Sequence, residues 1–385
     1  MVLHISERET DLPDATIGKL LRLAIEDPSV ISLAPGEPDF PAPIPIVAFT
    51  KEFADQCNHY SPPGGRKELR EAIVKKLEKE NKITAHPEQV VVTCGSQEAL
   101  LLATACTCDV GEEVIIPNPS FLGYLPTFEL FNAFPVPLHL TAQNNWMMNP
   151  DELKYLITKK TRAIMINSPA NPTGAVLDKK ILEELADIAR EHNIYIFSDE
   201  AYEKLIYEKK HISIGSLNGM EDYVVTFQTF SKSYAMCGYR VGYAVGPRLL
   251  MDAMTKTHMY STIAAPTISQ MVAAKALTID KKYTDAMVKE YDKRRMFIVK
   301  RLNEMGLPTA TPHGAFYTFS DIRSVSDDSF RFASDLLHAA KVAVVPGKEF
   351  GSYGEGYVRC SYATALPKIE EAMNRLQKFV RKHRR

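Results

Sequence analysis

The chain has 385 residues, 45% hydrophobic and 24% charged, with 46 Lys and Arg against 47 Asp and Glu for a net charge of −1, a globular composition able to bury a large core. So even a balance excludes nucleic acid as the main partner, and the locally basic end KFVRKHRR reads as a solvated helix terminus complementing its own dipole. The first thirty residues carry acids and prolines where an export signal needs an apolar run, the longest apolar stretch (Ala99 to Cys106) is far short of the roughly 20 residues of a membrane span, and six cysteines without a paired CxxC make neither a disulfide framework nor a metal site, so a cytoplasmic protein with reduced, buried thiols is expected.

Residues 35 to 45 hold five prolines (35, 38, 41, 43, 45). Each removes a donor and fixes φ, so the segment is expected to be extended and to form neither helix nor central strand. Short apolar runs follow: Val90 to Val92, Val114 to Ile116, Ala163 to Ile166, Ile194 to Phe197, Tyr223 to Phe227 and Tyr243 to Val245. They read as buried strands. Between two of them, residues 179 to 192 place Ile181, Leu182, Leu185, Ile188 and Ala189 on one helical face. Strand, helix, strand recurs, which predicts an α/β fold with a mainly parallel sheet covered on both sides. A charged helix over roughly 282 to 305 is stopped by Gly306 and Pro308 and reads as the link into a second, smaller domain.

Ligands of open α/β sheets bind beyond the carboxyl ends of the strands, where loops and helix N-termini converge. Four such ends carry pointed chemistry: Gly95-Ser96-Gln97, Asn171, Asp199 and Lys232. One alone would mean little; four suggest a shared pocket. The segment CGSQEAL (94 to 100) suits a phosphate through free backbone N–H groups, although alone it reads equally as a helix cap at Ser96. No GxGxxG or Walker pattern occurs in the right context. TFSKSYAMCGYRVGY (229 to 243) is more specific, combining the Lys232 amine, the Thr229 and Ser231 hydroxyls and the Arg240 guanidinium.

With these residues in view, the chain resembles the class I pyridoxal-phosphate aminotransferases of fold type I, nearly end to end. The motifs are SLAPGEPDF (32 to 40), YSPPGGRKELR (60 to 70), PNPSFLGY (117 to 124), NSPANPTG (167 to 174), SDEAY (198 to 202), TFSKSYAMCGYRVG (229 to 242), PHGAFY (312 to 317), VVPGKEFG (344 to 351) and VRCSYA (358 to 363). Within the family it is most similar to archaeal and bacterial aspartate or aromatic amino-acid aminotransferases. The resemblance implies a large cofactor domain over 46–279 with a mainly parallel seven-stranded sheet flanked by helices, and a smaller α+β domain made of 1–45 with 280–385 that closes over the site.

The resemblance also implies the roles. Lys232 holds pyridoxal 5'-phosphate as a Schiff base and then serves as general base and acid. Asp199 keeps the pyridine nitrogen protonated, and Asn171 and Tyr202 bind the phenolic oxygen. Gly95, Ser96, Gln97, Thr229, Ser231 and Arg240 belong to the cofactor and phosphate site, with Thr at 229 where Ser or Gly is commoner. Phe121 covers the ring. Tyr60 reaches the phosphate of the neighbouring subunit, which implies a homodimer with shared active sites. Arg359 takes the substrate α-carboxylate with help from Gly36 and Asn171. The implied activity is ping-pong transamination from an aspartate or aromatic L-amino acid to a 2-oxo acid, 2-oxoglutarate being the expected acceptor. A β-lyase would use the same pocket. A cofactor-binding regulator is the third reading, and no fused module precedes Pro35 to support it. Ile17, Phe121, Tyr124 and Phe316 are the candidates for an apolar substrate cavity, and no second arginine for a side-chain carboxylate is placed.

Overall fold

Residues 4–6, 9, 12, 18 and 26–384 are described by the computed structural model, so Ile17 lies outside them. Strand β1 (Ile31–Ser32) leads into the proline-rich segment, which is extended only to Pro43. A helix begins at Ile44 and runs to Phe53, contrary to the expectation for residues 44 and 45. Pro45 sits in its first turn, where the missing N–H has no intrahelical partner to lose.

Seven strands make the main sheet: β2 (Val90–Thr93), β3 (Glu113–Asn118), β4 (Phe134–His139), β5 (Thr161–Asn167), β6 (Tyr195–Asp199), β7 (Val224–Thr229) and β8 (Gly242–Val245). Their order is β2-β8-β7-β6-β5-β3-β4. Only β8 is antiparallel to its neighbours, so the other six point their carboxyl ends the same way. The sheet is mainly parallel and α/β, as the sequence indicated. Strand β4, read as FPVPLH, was not legible as a strand because of Pro135 and Pro137. It lies at the sheet edge, where a residue without an N–H does not interrupt an inner ladder.

Alternation along the strands loads both faces. Ile164, Ile166, Ile196 and Val224 pack with Leu182, Leu185 and Ile188 of the helix Lys179–His192. Val114, Ala163, Met165, Phe197, Val225 and Phe227 pack with residues of the helices Ser96–Thr107 and Arg248–Ser261. Buried on both faces, the sheet holds its carboxyl edge rigidly, and the polar residues there inherit that rigidity.

A second sheet is antiparallel, with β9 (Tyr317–Asp321), β12 (Tyr357–Ser361) and β11 (Val345–Pro346) in the order β11-β12-β9. Strand β1 pairs in parallel with β10 (Val342–Ala343), so the segment before the prolines is stitched to the C-terminal part of the chain. The helix Lys282–Glu304 ends as expected, with Gly306 at φ 78° just beyond it. It packs with the helices Ser329–Ala340 and Leu366–His383 through Ile298, Leu302, Leu336, Ile369 and Phe379. Of the six cysteines, all free, only Cys108 and Cys360 are buried, so the expectation of buried thiols holds for those two and the other four are half-buried.

Candidate active site

Among the described residues, one cavity of about 280 Å³ lies at the carboxyl edge of the main sheet. It is lined by Gly95, Ser96 and Gln97 after β2, Phe121 and Leu122 after β3, and Asn167 and Asn171 at and after β5. Asp199, Ala201 and Tyr202 come from β6, and Thr229, Ser231, Lys232 and Arg240 from the β7 to β8 connection, with Gly36, Tyr317 and Arg359 closing the far side. Of the apolar-wall candidates only Phe121 lines it, Tyr124 and Phe316 being core residues and Ile17 lying outside the described residues. Every catalytic, cofactor and α-carboxylate residue named from the sequence meets here except Tyr60. Its side chain is 81% exposed and lines no part of this cavity.

Asp199 is the last residue of β6 and projects its carboxylate into the cavity. Its Oδ2 accepts from Tyr124 Oη at 2.5 Å and its Oδ1 from the Ala201 N–H at 3.0 Å. Burial pushes the carboxyl above the ordinary aspartate range, and the Tyr124 and Ala201 donors only partly offset it. A desolvated acid at the pocket floor is suited to hold a protonated ring nitrogen. Tyr124 was a candidate for the substrate wall; instead it is 1% exposed and serves Asp199 from the core.

Lys232 follows β7 in a short helical turn, Phe230–Ser233, capped by Thr229, whose Oγ1 accepts from the Ser231 N–H at 3.2 Å. The Lys232 Nζ donates to the Gly36 carbonyl at 2.6 Å. Among the described residues it is the only lysine lining the cavity. The Thr229 hydroxyl donates to Ser231 Oγ at 3.0 Å, so both hydroxyls stay on the cavity side.

Gly95 stands at φ 85° as the N-cap of the helix Ser96–Thr107, so the cap is Gly95 rather than the Ser96 side chain. A Cβ at Gly95 would sit 2.5 Å from Arg240 Nη2, and one at Gly242 would sit 2.6 Å from the Ser96 nitrogen. Only residues without side chains let the guanidinium and the helix N-terminus approach one point. Arg240 is held by the Cys237 carbonyl at 3.1 Å and the Cys94 carbonyl at 3.2 Å. Free N–H groups at a helix start, two hydroxyls and an arginine make a fitting cradle for a phosphate dianion.

Across the cavity, Arg359 on β12 is 2% exposed. Its Nη1 donates to Asn171 Oδ1 at 2.9 Å and its Nη2 to the Ala34 carbonyl at 2.7 Å, while its buried Nε has no partner among the described residues. The guanidinium lies 4.4 Å from the Tyr317 ring centroid and 4.8 Å from that of Phe350. Desolvation lowers its pKa, the mark of a cation with no carboxylate beside it. A buried arginine with spare donors and no anion of its own suits an incoming carboxylate.

The roles of three participants were missed from the sequence. Tyr317 pairs with Tyr202 hydroxyl to hydroxyl at 2.7 Å. Asn167 Oδ1 accepts the Asn171 N–H at 2.8 Å, and its Nδ2 donates to the Asp199 carbonyl at 3.0 Å. Tyr124 is the third. Asn167 and Tyr317 lay inside motifs already noted, NSPANPTG and PHGAFY, but nothing in their spacing marked them over their neighbours. The donor set as a whole fits pyridoxal phosphate: the Gly95 cradle that a Cβ would fill, the raised carboxyl of Asp199 and the spare Nε of Arg359 answer three parts of a cofactor–amino acid pair.

Comparison with known proteins agrees with this geometry. Residues 28–376 match the family described as Aminotransferase class I and II. An aspartate aminotransferase of Pyrococcus abyssi is 46% identical over 98% of this chain and 99% of its own length. Aromatic-amino-acid aminotransferase 2 of Thermococcus litoralis is 44% identical, again over 98% and 99%. The crystal structure of an aromatic aminotransferase from Pyrococcus horikoshii superposes with a TM-score of 0.90 at 46% identity, covering 95% of this chain and 99% of that one. Aspartate aminotransferase from Thermus thermophilus with maleate gives 0.93 at 34% identity, covering 98% and 100%. With the fold, the cavity and these likenesses in agreement, the chain belongs to the class I and II aminotransferases and is an enzyme of that family.

Proposed function

We propose that the enzyme uses pyridoxal 5'-phosphate to move the amino group of an aspartate-type or aromatic L-amino acid to a 2-oxo acid, with 2-oxoglutarate as the usual acceptor and ping-pong kinetics. The observation that carries this reading is the convergence of Lys232, Asp199 and Arg359 on one cavity from β7, β6 and β12. Bound there, the cofactor supplies an aldehyde for an amine and an electron-withdrawing ring beside the substrate α-carbon.

Arg359 binds the substrate α-carboxylate through its planar fork and so orients the α-C–H toward Lys232. Lys232 Nζ, now donating to the Gly36 carbonyl, would hold the cofactor and would serve as the base and acid for the α-proton. Asp199 holds the proton of the ring nitrogen. Asn171 and Tyr202 donate to the phenolic oxygen, and the Gly95, Ser96, Thr229, Ser231 and Arg240 cradle anchors the phosphate while Gln97 and Phe121 bound the ring. The chain would work as a homodimer in which Tyr60, exposed and outside its own cavity, serves the other copy. We assign the cofactor domain to 46–279 and the closing domain to 1–45 with 280–385. Names of relatives include both aspartate and aromatic aminotransferases, which supports a site open to both substrate types.

Replacement of Lys232 by Ala tests the assignment. Purified Lys232→Ala should lose both the imine absorbance after soaking in cofactor and all transamination. Full turnover in that variant overturns the reading. Release of ammonia and pyruvate from a cysteine conjugate, with no need for an amino acceptor, would instead identify a β-lyase.

A further inference from the structure

Three ligand-type side chains meet at the end of β2, outside the cavity lining. One ligand atom each from Cys94, Glu98 and His258 lies within 4.8 Å of the others. Cys94 follows β2, Glu98 is in the first turn of the helix Ser96–Thr107, and His258 comes from the helix Arg248–Ser261. His258 is wholly buried, with Nδ1 2.7 Å from the Pro63 carbonyl. A carbonyl only accepts, so Nδ1 is the donor and the lone pair of the neutral ring is on Nε2. Among the described residues that Nε2 makes no hydrogen bond, although Glu98 Oε2 is 3.2 Å away. Lone pairs facing each other at this separation repel unless a cation or a proton lies between them.

An imidazole whose second nitrogen donates to a backbone carbonyl is the orientation found in metal-ligating histidines. Glu98 is similarly prepared. Its Oε1 accepts from Thr262 Oγ1 at 2.7 Å and its Oε2 from the Cys94 N–H at 2.6 Å, which leaves each oxygen a lone pair. The second His and carboxylate cluster, Glu200, Glu203 and His211, differs in that Lys76 Nζ already donates to Glu203 and fills the cation's place. Among the described residues no such amine donates to Glu98.

The geometry points to a site for one borderline divalent cation of the zinc type, held by Cys94 Sγ, a Glu98 oxygen and His258 Nε2 with a fourth tetrahedral position open. The sulfur–metal bond forms as the thiol proton leaves to solvent. The Cys94 carbonyl accepts from Arg240 Nη2, and the next residue, Gly95, lines the cavity. The metal therefore ties together two helices and the loop that presents the phosphate cradle.

The test titrates chelator-treated holoenzyme with cadmium and follows the thiolate-to-metal absorption band in the ultraviolet, then adds zinc as competitor. We expect one cadmium per chain, a band that zinc removes, and no band in Cys94→Ser. His258→Gln should weaken cadmium binding at least about tenfold, since loss of even an outer-shell partner costs that much. Cys57→Ser, remote in sequence, should bind as the parent does. Circular dichroism and the cofactor spectrum report whether each variant is folded. A parent enzyme that takes no cadmium, a folded Cys94→Ser or His258→Gln that binds like the parent, or a band lost in Cys57→Ser would each overturn the assignment, and the first would identify the bridge between Glu98 and His258 as a proton.

Discussion

Tyr124 donates its hydroxyl proton to Asp199 Oδ2 at 2.5 Å, joining a fully buried core residue to the carboxylate at the floor of the cavity. The bond counters the burial that raises the Asp199 carboxyl. Without the donor, burial acts with less opposition, and the acid stays protonated to higher pH.

Replacement of Tyr124 by Phe should therefore move the acid limb of cofactor affinity to higher pH. A hydrogen bond to a charged group contributes ~1.5 kcal/mol or more, so binding at the acid end should weaken about tenfold. Fluorescence titration of the cofactor-free protein with pyridoxal phosphate across pH measures this. A limb that does not move would show that burial alone sets the carboxyl.

Asp199 also bears on stability. Its folded-state value is raised, by burial first, so the folded cofactor-free protein is favoured below the ordinary value of 3.8. That advantage is lost as pH rises through the higher folded value, which leaves an ionised, desolvated carboxylate at neutrality. Asp199→Asn, which keeps the shape without the charge, should stabilise the cofactor-free protein near pH 7 by on the order of 1 kcal/mol while abolishing catalysis. Thermal unfolding of the two proteins without cofactor, at pH 7 and at pH 4, decides it: the gain should shrink at the lower pH.

Arg359 offers a sharper separation of roles. Lysine at 359 keeps the charge but loses the fork that now reaches Asn171 and the Ala34 carbonyl. Steady-state kinetics on Arg359→Lys should show kcat/KM reduced about 100-fold, roughly 2.7 kcal/mol of transition-state stabilisation. The cofactor spectrum should be unchanged. A variant that loses the cofactor but not substrate affinity would place Arg359 elsewhere in the chemistry.

Away from the cavity, buried Lys76 donates to Asn81 Oδ1 at 2.8 Å and to Gln228 Oε1 at 2.5 Å, and pairs with Glu203. Burial raises the Glu203 carboxyl, but Lys76 and Lys204 outweigh it and bring the value down to about 2. A depressed carboxyl adds stability that is complete above its ordinary value of 4.5 and is lost as pH falls toward about 2. Lys76→Met leaves Glu203 buried without its main partner, and urea unfolding at pH 7 should show a loss of about 3–5 kcal/mol. The difference from the parent should narrow as the pH is lowered below 4.5.

The alternation of apolar runs with a helical pattern at 179 to 192, and the polar residues after each run, were local signals. Period and position in the chain were enough to indicate a mainly parallel sheet with one reactive edge, and to name Lys232, Asp199 and Asn171, whereas Arg359 came only from the family resemblance. Edge strand β4 escaped because two prolines are tolerable only at an edge, and edge position is a property of the assembled sheet. The helix from Ile44 escaped because proline stops a helix in its interior but not in its first turn. Tyr124, Tyr317 and Asn167 carry no local mark, since a tyrosine bound for the core and one aimed at a carboxylate read alike. Nor could any spacing place His258 beside Cys94, or Lys76 beside Glu203. Such pairs become visible only when strand order and helix packing bring distant segments within bonding range, and there the cost of burying an unpaired polar group dictates which partners must meet.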